Sequence, residues 1–322
     1  MGMRDFLKLH YRHFNARETR EAAQAWVDHL DAGGKMFLTL AGAMSTAELG
    51  ISLGRMIREG KVHGICATGA NLEEDIFNLV AHDGYEVIPN YRDLTPEHEV
   101  ELAKRGMNRV TDTCIPESIM RDIDARLLAI WQRAETDGRR GSPWDFMREL
   151  VSDEALAEHY KVPREHSWVL AAHDMDIPVW VPGWEDSTLG NVFVGWNILG
   201  KLSTHSTVTT GTEQMQSLAA WYDEVSKAGS SIGFFQIGGG IAGDFPICVV
   251  PLLIQDTFRE DVPFWGYFCQ IGDSTTSYGS YSGAVPNEKI TWGKLDAHTP
   301  KFMINSDASI VAPLIFSYVL DD

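Results

Sequence analysis

The sequence feature that most constrains the fold is a repeated alternation between short apolar segments and helices. Apolar segments of strand length lie at 35–42, 62–69, 177–183, 231–240, 263–273 and 301–307. Each of them leads into a helical pattern. About six such repeats imply a mostly parallel sheet. The sequence therefore predicts an α/β fold, with a doubly wound, mostly parallel Rossmann-like sheet and helices on both faces.

The length of 322 residues fits one large α/β domain or two small ones. Residues 1–16 are basic and aromatic and stand outside the repeating pattern, so we assign them to an N-terminal arm. A first helix is expected over 17–32, because two glycines follow it. A helix-rich stretch is expected from about 95 to 175. Residues 17–322 form the single predicted domain.

The junctions between the predicted strands and helices are rich in small and polar residues. They read Ala41-Gly42-Ala43, Thr68-Gly69-Ala70, Gly238-Gly239-Gly240, Gly272-Asp273-Ser274 and Ser306-Asp307-Ala308. Parallel sheets bind ligands beyond the carboxyl ends of their strands, where glycine lets a backbone approach a phosphate. Five such junctions indicate a nucleotide site, although tight turns that need glycine explain some of them.

Two carboxylates at strand ends, Asp186 and Asp307, are candidates to bind ribose hydroxyls. The G-x-G-x-x-G fingerprint of ordinary dinucleotide-binding halves is absent after the first strand. An ordinary dehydrogenase is therefore not predicted.

Composition excludes several classes of protein. The 27 basic and 45 acidic residues give a formal charge of −18, which argues against nucleic-acid binding. That charge suits a cationic small substrate, but it also serves solubility. The four cysteines form no C-x-x-C pair, and the 11 histidines show no metal-ligand spacing. With no signal peptide and no membrane-length apolar run, we expect a cytoplasmic protein without a metal and without membrane association.

The segment 278–295 carries the candidate chemistry. Pro286 is suited to begin a helix, on which Glu288 and Trp292 are four residues apart and share a face. A carboxylate beside an indole can bind an organic cation. Lys294 follows Gly293, and a partly desolvated lysine amine can attack a carbonyl or imine carbon. The alternative, which spacing alone favours, is a surface helix with a solvated lysine.

Motifs along the chain from residue 35 onward resemble the deoxyhypusine synthase family in order and spacing. These motifs are AGAMSTAELG (41–50), CATGANLEED (66–75), IPVWVPGWEDSTLG (177–190), IGGGIAGDF (237–245), SGAVPNEKITWGKL (282–295) and SDASIVAPL (306–314). The most specific element is S-G-A-x-P-x-E-x-x-x-W-G-K, which runs from Ser282 to Lys294.

The resemblance implies an enzyme that transfers an alkyl group with NAD as a recycled cofactor. In that family NAD oxidises spermidine, and an enzyme lysine, matched here by Lys294, takes the four-carbon fragment as an imine. An acceptor amine then receives the fragment, and the same NADH reduces the product. The resemblance also implies a homotetramer with active sites at dimer interfaces.

The family's binding residues carry over to matching positions. The implied NAD contacts are Thr68, Gly69, Ala70, Glu74, Asp186, Asp307 and Ala308, and we add Ser274 from its strand end. The implied polyamine contacts are Glu73, Gly239, Glu288 and Trp292, together with the three substituted positions Asn191, Asp244 and Tyr281.

Those three positions depart from the family. Asp244 stands where the family has a histidine, and Asn191 and Tyr281 stand where it has aspartates. The predicted function is 4-aminobutyl transfer to a small diamine such as putrescine, as in homospermidine synthase-type members. One alternative is a deoxyhypusine synthase that modifies a lysine of a translation factor. Another is a catalytically silent NAD-binding interaction protein.

Overall fold

A computed structural model describes residues 1–274 and 285–322. Its strands are β1 (Lys35–Leu40), β2 (Gly64–Ala67), β3 (Glu86–Val87), β4 (Met107–Val110), β5 (Thr113–Pro116), β6 (Val179–Trp180), β7 (Ile232–Ile237), β8 (Tyr267–Gly272) and β9 (Lys301–Asn305).

The α-helices divide into those before and those after β6. The first group is α1 (Met3–His10), α2 (Phe14–Asp31), α3 (Gly50–Arg58), α4 (Gly69–Ala81), α5 (Pro96–Lys104), α6 (Glu117–Thr136), α7 (Pro143–Val151), α8 (Glu154–Ala157) and α9 (Trp168–Asp174). The second group is α10 (Thr188–Ile198), α11 (Gly211–Lys227), α12 (Ile241–Ile247), α13 (Val249–Pro251), α14 (Glu288–Thr291) and α15 (Ala308–Leu320). A π-helical turn follows α13 at Leu252–Asp256.

Six parallel strands form the main sheet in the order β6-β2-β1-β7-β8-β9. Numbered by their order along the chain within this sheet, they run 3-2-1-4-5-6, which is the order of a doubly wound dinucleotide-binding fold. The predicted fold class is confirmed. Since every pairing in this sheet is parallel, the junctions after its strands, including those that lead to Gly240 and Asp307, meet at one edge.

Helices cover both faces of the sheet because the side chains of each strand alternate between two apolar clusters. Met36, Leu38 and Leu40 of β1 pack with α2, α3, α4, α9 and α15. Phe37 faces the opposite cluster, which contains residues of α11, α12 and α13. A strand with both faces buried reads as a continuous apolar run, so these strands were recognisable from the sequence.

A second sheet was not predicted. Strands β3, β5 and β4 form a small antiparallel sheet in that order, within and just before the stretch expected to be helix-rich. Its strands are two to four residues long and largely half-exposed or exposed. Such short and polar strands give almost no periodic signal.

The N-terminal arm contains α1, which packs against the C-terminal helix α15. Leu7 is fully buried, and the Arg4 Nε donates to the carbonyl oxygen of Tyr318 at 2.9 Å. Helix α2 begins at Phe14, three residues before the predicted start. In the described part of the chain, no helix is both long and apolar enough to cross a membrane.

Candidate active site

The point at which the strand order reverses lies between β1 and β7, and the triple glycine follows β7 there. Gly238 and Gly240 have φ values of +75° and +72°, which glycine adopts without the steric cost that other residues incur. A Cβ on Gly238 would also lie 3.1 Å from the Cβ of Ala41. The ends of β1 and β7 therefore approach closely at the crevice where doubly wound folds bind nucleotides.

The loop 181–187 after the edge strand β6 folds back across the carboxyl edge of the sheet. A Cβ on Gly69, the first residue of α4, would lie 2.7 Å from the Cβ of Ser187. A Cβ on Gly183 would lie 2.8 Å from Cδ1 of Ile241 in α12. The loop thus joins the beginnings of α4 and α12 and carries the exposed Asp186 between them.

Asn191 holds this loop in place. Its Nδ2 donates to the carbonyl oxygens of Ser187 at 2.7 Å and Glu185 at 3.3 Å. An aspartate, the residue that the family carries here, has only acceptor atoms and could not make these bonds. Asparagine at position 191 therefore provides the donor that the carbonyl oxygens of the loop 181–187 require.

A cavity of about 410 Å³ lies beside the loop after β1 and the beginning of α15. Thr46, Asp307 and Ser309 are among its lining residues. Asp307 caps α15, accepting from the backbone N–H of Ser309 at 2.8 Å and from its hydroxyl at 2.7 Å. The hydroxyl of Thr46 donates to Glu74, whose pKa is raised by burial. Both Glu74 and Asp307 were predicted to contact NAD. Asp307 lines this cavity, and Glu74 is connected to it through its hydrogen bond with Thr46.

Polar residues and a helix beginning of this kind fit a nucleotide. Thr68 caps α4, with its hydroxyl accepting from the N–H of Asn71 at 3.3 Å. Ala70 lies in the first turn of α4, and Ala308 is the first residue of α15. Ser274 is exposed just beyond β8. All the predicted cofactor contacts follow carboxyl ends of parallel strands, and their contact with NAD stays a prediction.

Neighbouring carboxylates of α4 cap two other helices. Both carboxylate oxygens of Glu73 accept backbone N–H groups at the start of α10, from Thr188 at 2.9 Å and Leu189 at 2.8 Å. Asp75 accepts from the hydroxyl of Ser167 and, at 3.2 Å, from the N–H of Val169 in α9. Burial raises the pKa of each carboxyl to about 7. Glu73 therefore positions α10, whereas its predicted contact with a polyamine stays untested.

Helix α14 carries the predicted nucleophile segment. The backbone N–H of Lys294 donates to the carbonyl oxygen of Lys289 at 3.0 Å, and that of Gly293 to Ile290 at 3.0 Å. Gly293 has a φ of +66°, so these bonds form the C-terminal turn that favours glycine. Lys294 is half-buried. Glu288 is exposed and Trp292 is 66% exposed, so the residues at 1–274 and 285–322 leave the predicted cation site open.

The remaining predicted substrate contacts lie near the triple glycine or outside the described residues. Asp244 lies on α12, which begins just after Gly239 and Gly240, and its charge acts on the Lys289 amine. Ser282 and Tyr281 fall within 275–284, outside the described residues.

The sequence interpretation assigned no role to Asn71, although this buried side chain fastens the loop after β1. Its Nδ2 donates to the carbonyl of Gly42 at 2.6 Å, and its Oδ1 accepts from the N–H of Ser45 at 2.9 Å. An asparagine at the third position of a capped helix was the available signal. The sequence interpretation also assigned no role to Lys289, whose side chain packs inward onto the ring of Phe268.

A larger cavity, of about 850 Å³, opens at the amino ends of the strands, remote from these junctions. Lys35 and His63, which lie at the amino ends of β1 and β2, are among its lining residues. Burial lowers the pKa of His63 to about 4. Glu213 is already bound to Arg140 at 2.7 Å. We place the candidate nucleotide site at the carboxyl edge, because the predicted cofactor contacts gather there. The turn that carries Lys294 lies elsewhere: the carbonyl oxygen of Lys294 accepts from the N–H of Trp265, just before the amino end of β8.

Comparison with known proteins gives the family. The family model for deoxyhypusine synthase matches residues 7–319. The chain belongs to the deoxyhypusine synthase family. Members of this family are transferases, so the chain is assigned as an enzyme of the aminobutyl transferase kind.

Relatives of this family match nearly the whole chain. A deoxyhypusine synthase-like protein of Cyanothece is 27% identical, over 98% of this chain and 78% of the relative. A probable deoxyhypusine synthase 1 of Archaeoglobus fulgidus is 25% identical, over 96% of this chain and 90% of the relative. A crystal structure from Entamoeba histolytica, named "putative deoxyhypusine synthase", shares 13% identity with a TM-score of 0.56, over 99% of this chain and 92% of the other. At that identity the crystal structure supports the fold alone.

Proposed function

We propose that this deoxyhypusine synthase family member uses NAD to move a 4-aminobutyl group from a polyamine to a small diamine or guanidino-amine, through an imine on Lys294. The observation that carries the proposal is the turn that holds Lys294 half-buried beside Lys289, whose amine is under the electrostatic influence of Asp244 on α12. Helix α12 begins just after the triple glycine, so Asp244 connects the Lys289 amine to the helix that leads away from the nucleotide crevice.

Bound NAD would accept a hydride from the donor amine and later return it to the product. The chain's own residues would hold the nucleotide at the carboxyl edge of the sheet, through the beginnings of α4 and α15, the loop 181–187 and the glycines after β7. They would also fix the reacting carbon near Lys294, whose side chain stores the fragment while donor and acceptor exchange.

The acceptor is proposed from the substituted positions. The family aspartate at 191 is replaced by an amide that already donates to the loop 181–187, and its histidine at 244 is replaced by a carboxylate. A hydrogen bond to a charged group contributes roughly 1.5–3 kcal/mol, so moving these groups changes amine preference by about tenfold or more. Asp244 can hold an ammonium or guanidinium group, and Trp292 offers an aromatic face.

The proposal includes a homotetramer with sites at dimer interfaces. It is supported by the exposure of apolar side chains beside the candidate site, namely Ile241, Val285 and Trp292. A second chain placed there would enclose the cation site that Glu288 and Trp292 leave open. Light scattering should give a mass of four times the 35.9 kDa of one chain, and an active monomer would contradict this arrangement.

Competition between acceptors tests the proposed specificity. The protein, with NAD and either spermidine or putrescine as donor, is offered putrescine, agmatine and a lysine-bearing translation factor together. We expect mass spectrometry to find aminobutylated small amines and an unmodified protein lysine. Efficient labelling of the protein lysine without a small-molecule product would favour the deoxyhypusine synthase alternative, which the names of several relatives support.

A further inference from the structure

Lys289 packs inward on a helix whose neighbouring residues are exposed. Its Nζ lies 4.9 Å from the centroid of the Phe268 ring, which is fully buried on β8. Glu288 and Trp292, on either side of it in the sequence, are exposed. A lysine amine held against a buried ring is shielded from water on that side.

The turn after α14 fixes the two lysines relative to each other. The N–H of Lys294 donates to the carbonyl oxygen of Lys289 at 3.0 Å, and the next residue, Leu295, pairs with Trp265 at the amino end of β8. Both backbones are therefore held by hydrogen bonds. The turn therefore fixes the separation of the Lys289 and Lys294 backbones next to the amino end of β8.

Burial and the like charge of Lys294 favour loss of the proton from Lys289. Burial, and next the like charge of Lys294, lower the pKa of Lys289, while Asp244, Glu288 and Cys248 oppose the change. The net effect is a lowered pKa of Lys289, although the aromatic ring of Phe268 stabilises the protonated amine. A lysine with a lowered pKa gives up its proton more readily than an exposed lysine does, and its neutral form can accept one.

A comparison of two positions along the chain points the same way. The family has a histidine, which can take up and release a proton, where this chain has Asp244. The family motif S-G-A-x-P-x-E-x-x-x-W-G-K specifies no residue at position 289, where this chain has a lysine. This chain thus carries an amine on α14, within the electrostatic influence of Asp244 on α12.

We propose that Lys289 is a proton-transfer residue for Lys294, a role that rests on the proposed imine chemistry. The neutral amine of Lys289 takes a proton from the Lys294 ammonium, which leaves Lys294 with a free electron pair. Lys294 then attacks the iminium carbon of the oxidised donor and forms a new C–N bond. A proton passes through Lys289 from the Lys294 nitrogen to the departing nitrogen, the old C–N bond breaks, and Lys294 holds the fragment as an iminium. No electrons are gained or lost in this exchange.

The test measures imine formation on Lys294 as a function of pH. The full-length protein is mixed with NAD and spermidine, quenched with borohydride at intervals, and the labelled residue is assigned by fragment mass spectrometry. We expect Lys289→Met, which keeps the stem on Phe268, to slow labelling of Lys294 by about 100-fold near neutral pH, because general base catalysis contributes at least this much. Lys289→Arg should be equally slow, since arginine stays protonated. Lys289→His should recover part of the rate of Lys294 labelling, and the acidic limb of its pH–rate profile should differ from that of the wild type.

Further comparisons distinguish failure of the inference about Lys289 from failure of the proposed function. Lys301→Met removes a lysine whose Nζ binds the carbonyl oxygens of Ala297 and Thr299, and it should label like the wild type. Wild-type labelling of Lys294 in both Lys289→Met and Lys289→Arg, at every pH, would overturn this inference and leave the proposed function standing. A wild-type protein that is never labelled on Lys294 would overturn both.

Discussion

Two carboxylates of α4 cap the beginnings of other helices. Asp75 and Glu73 are two residues apart, so they point in different directions and cap α9 and α10 respectively. The NLEED motif was recognised from the sequence, but only as a set of ligand contacts. Which helix a buried carboxylate caps depends on tertiary packing, and no local pattern contains that information.

Asp75 makes folding stability depend on pH. Burial raises its pKa to about 7 in the folded protein. The unfolded value is about 3.9, so the folded state binds more protons between these values. Stability from this group is therefore fully present below about pH 4 and is lost as pH rises through about 7, with a slope of up to about 1.4 kcal/mol per pH unit. Asp75→Asn should flatten that slope in urea unfolding measured from pH 4 to 7.

The matched control is Asp31→Asn, at the exposed end of α2, which should leave the pH slope unchanged. An Asp75→Asn protein with the wild-type slope would show that this carboxyl does not bind the extra proton. Glu73 contributes a slope of the same sign, so the flattening should be partial.

At the scale of single elements, the contact between α10 and the loop 181–187 depends on a glycine. A Cβ on Gly190 would lie 2.3 Å from the carbonyl oxygen of Trp184, which is backbone and cannot move aside easily. Gly190→Ala should therefore destabilise the protein by at least the roughly 1–3 kcal/mol typical of overpacking. A Cβ added to Gly195, in the same helix, would meet no atom of the surrounding structure within 4 Å. Gly195→Ala should be neutral or slightly stabilising, by up to about 1 kcal/mol.

Denaturant unfolding of the two variants measures this difference directly. Equal stability of Gly190→Ala and Gly195→Ala would contradict the close approach of α10 to the loop. The comparison also matters for the site, because the same loop carries Asp186 and contacts the beginning of α4.

The elements of the main sheet were predictable because long buried strands leave continuous apolar runs between glycine-rich junctions. The small sheet of β3, β4 and β5 was not, since short half-exposed strands resemble loops and helix ends. The site was predictable to the extent that its residues follow strand ends. Lys289 was the exception, because spacing shows that it is near Lys294 but not that its side chain turns inward onto Phe268.

At the scale of the whole molecule, the parallel sheet gathers residues that are far apart in sequence. Thr68, Asp186 and Asp307 follow three different strands and meet one edge, while Lys289 of α14 packs on the face formed by β7, β8 and α12. The proposed chemistry requires both groups at one site: a nucleotide at the edge and an amine from the adjoining face.

The most direct measurement of the central claim is therefore covalent trapping on Lys294. The protein is incubated with NAD and a polyamine donor, reduced with borohydride and mapped by fragment mass spectrometry. Transfer through an imine on Lys294 predicts the four-carbon fragment on this residue only when NAD is present. It also predicts that Lys294→Arg abolishes transfer and labelling while NAD binding, measured by calorimetry, is kept, because arginine stays protonated and cannot attack. Undiminished transfer by Lys294→Arg, or a fragment fixed on another residue, would contradict it.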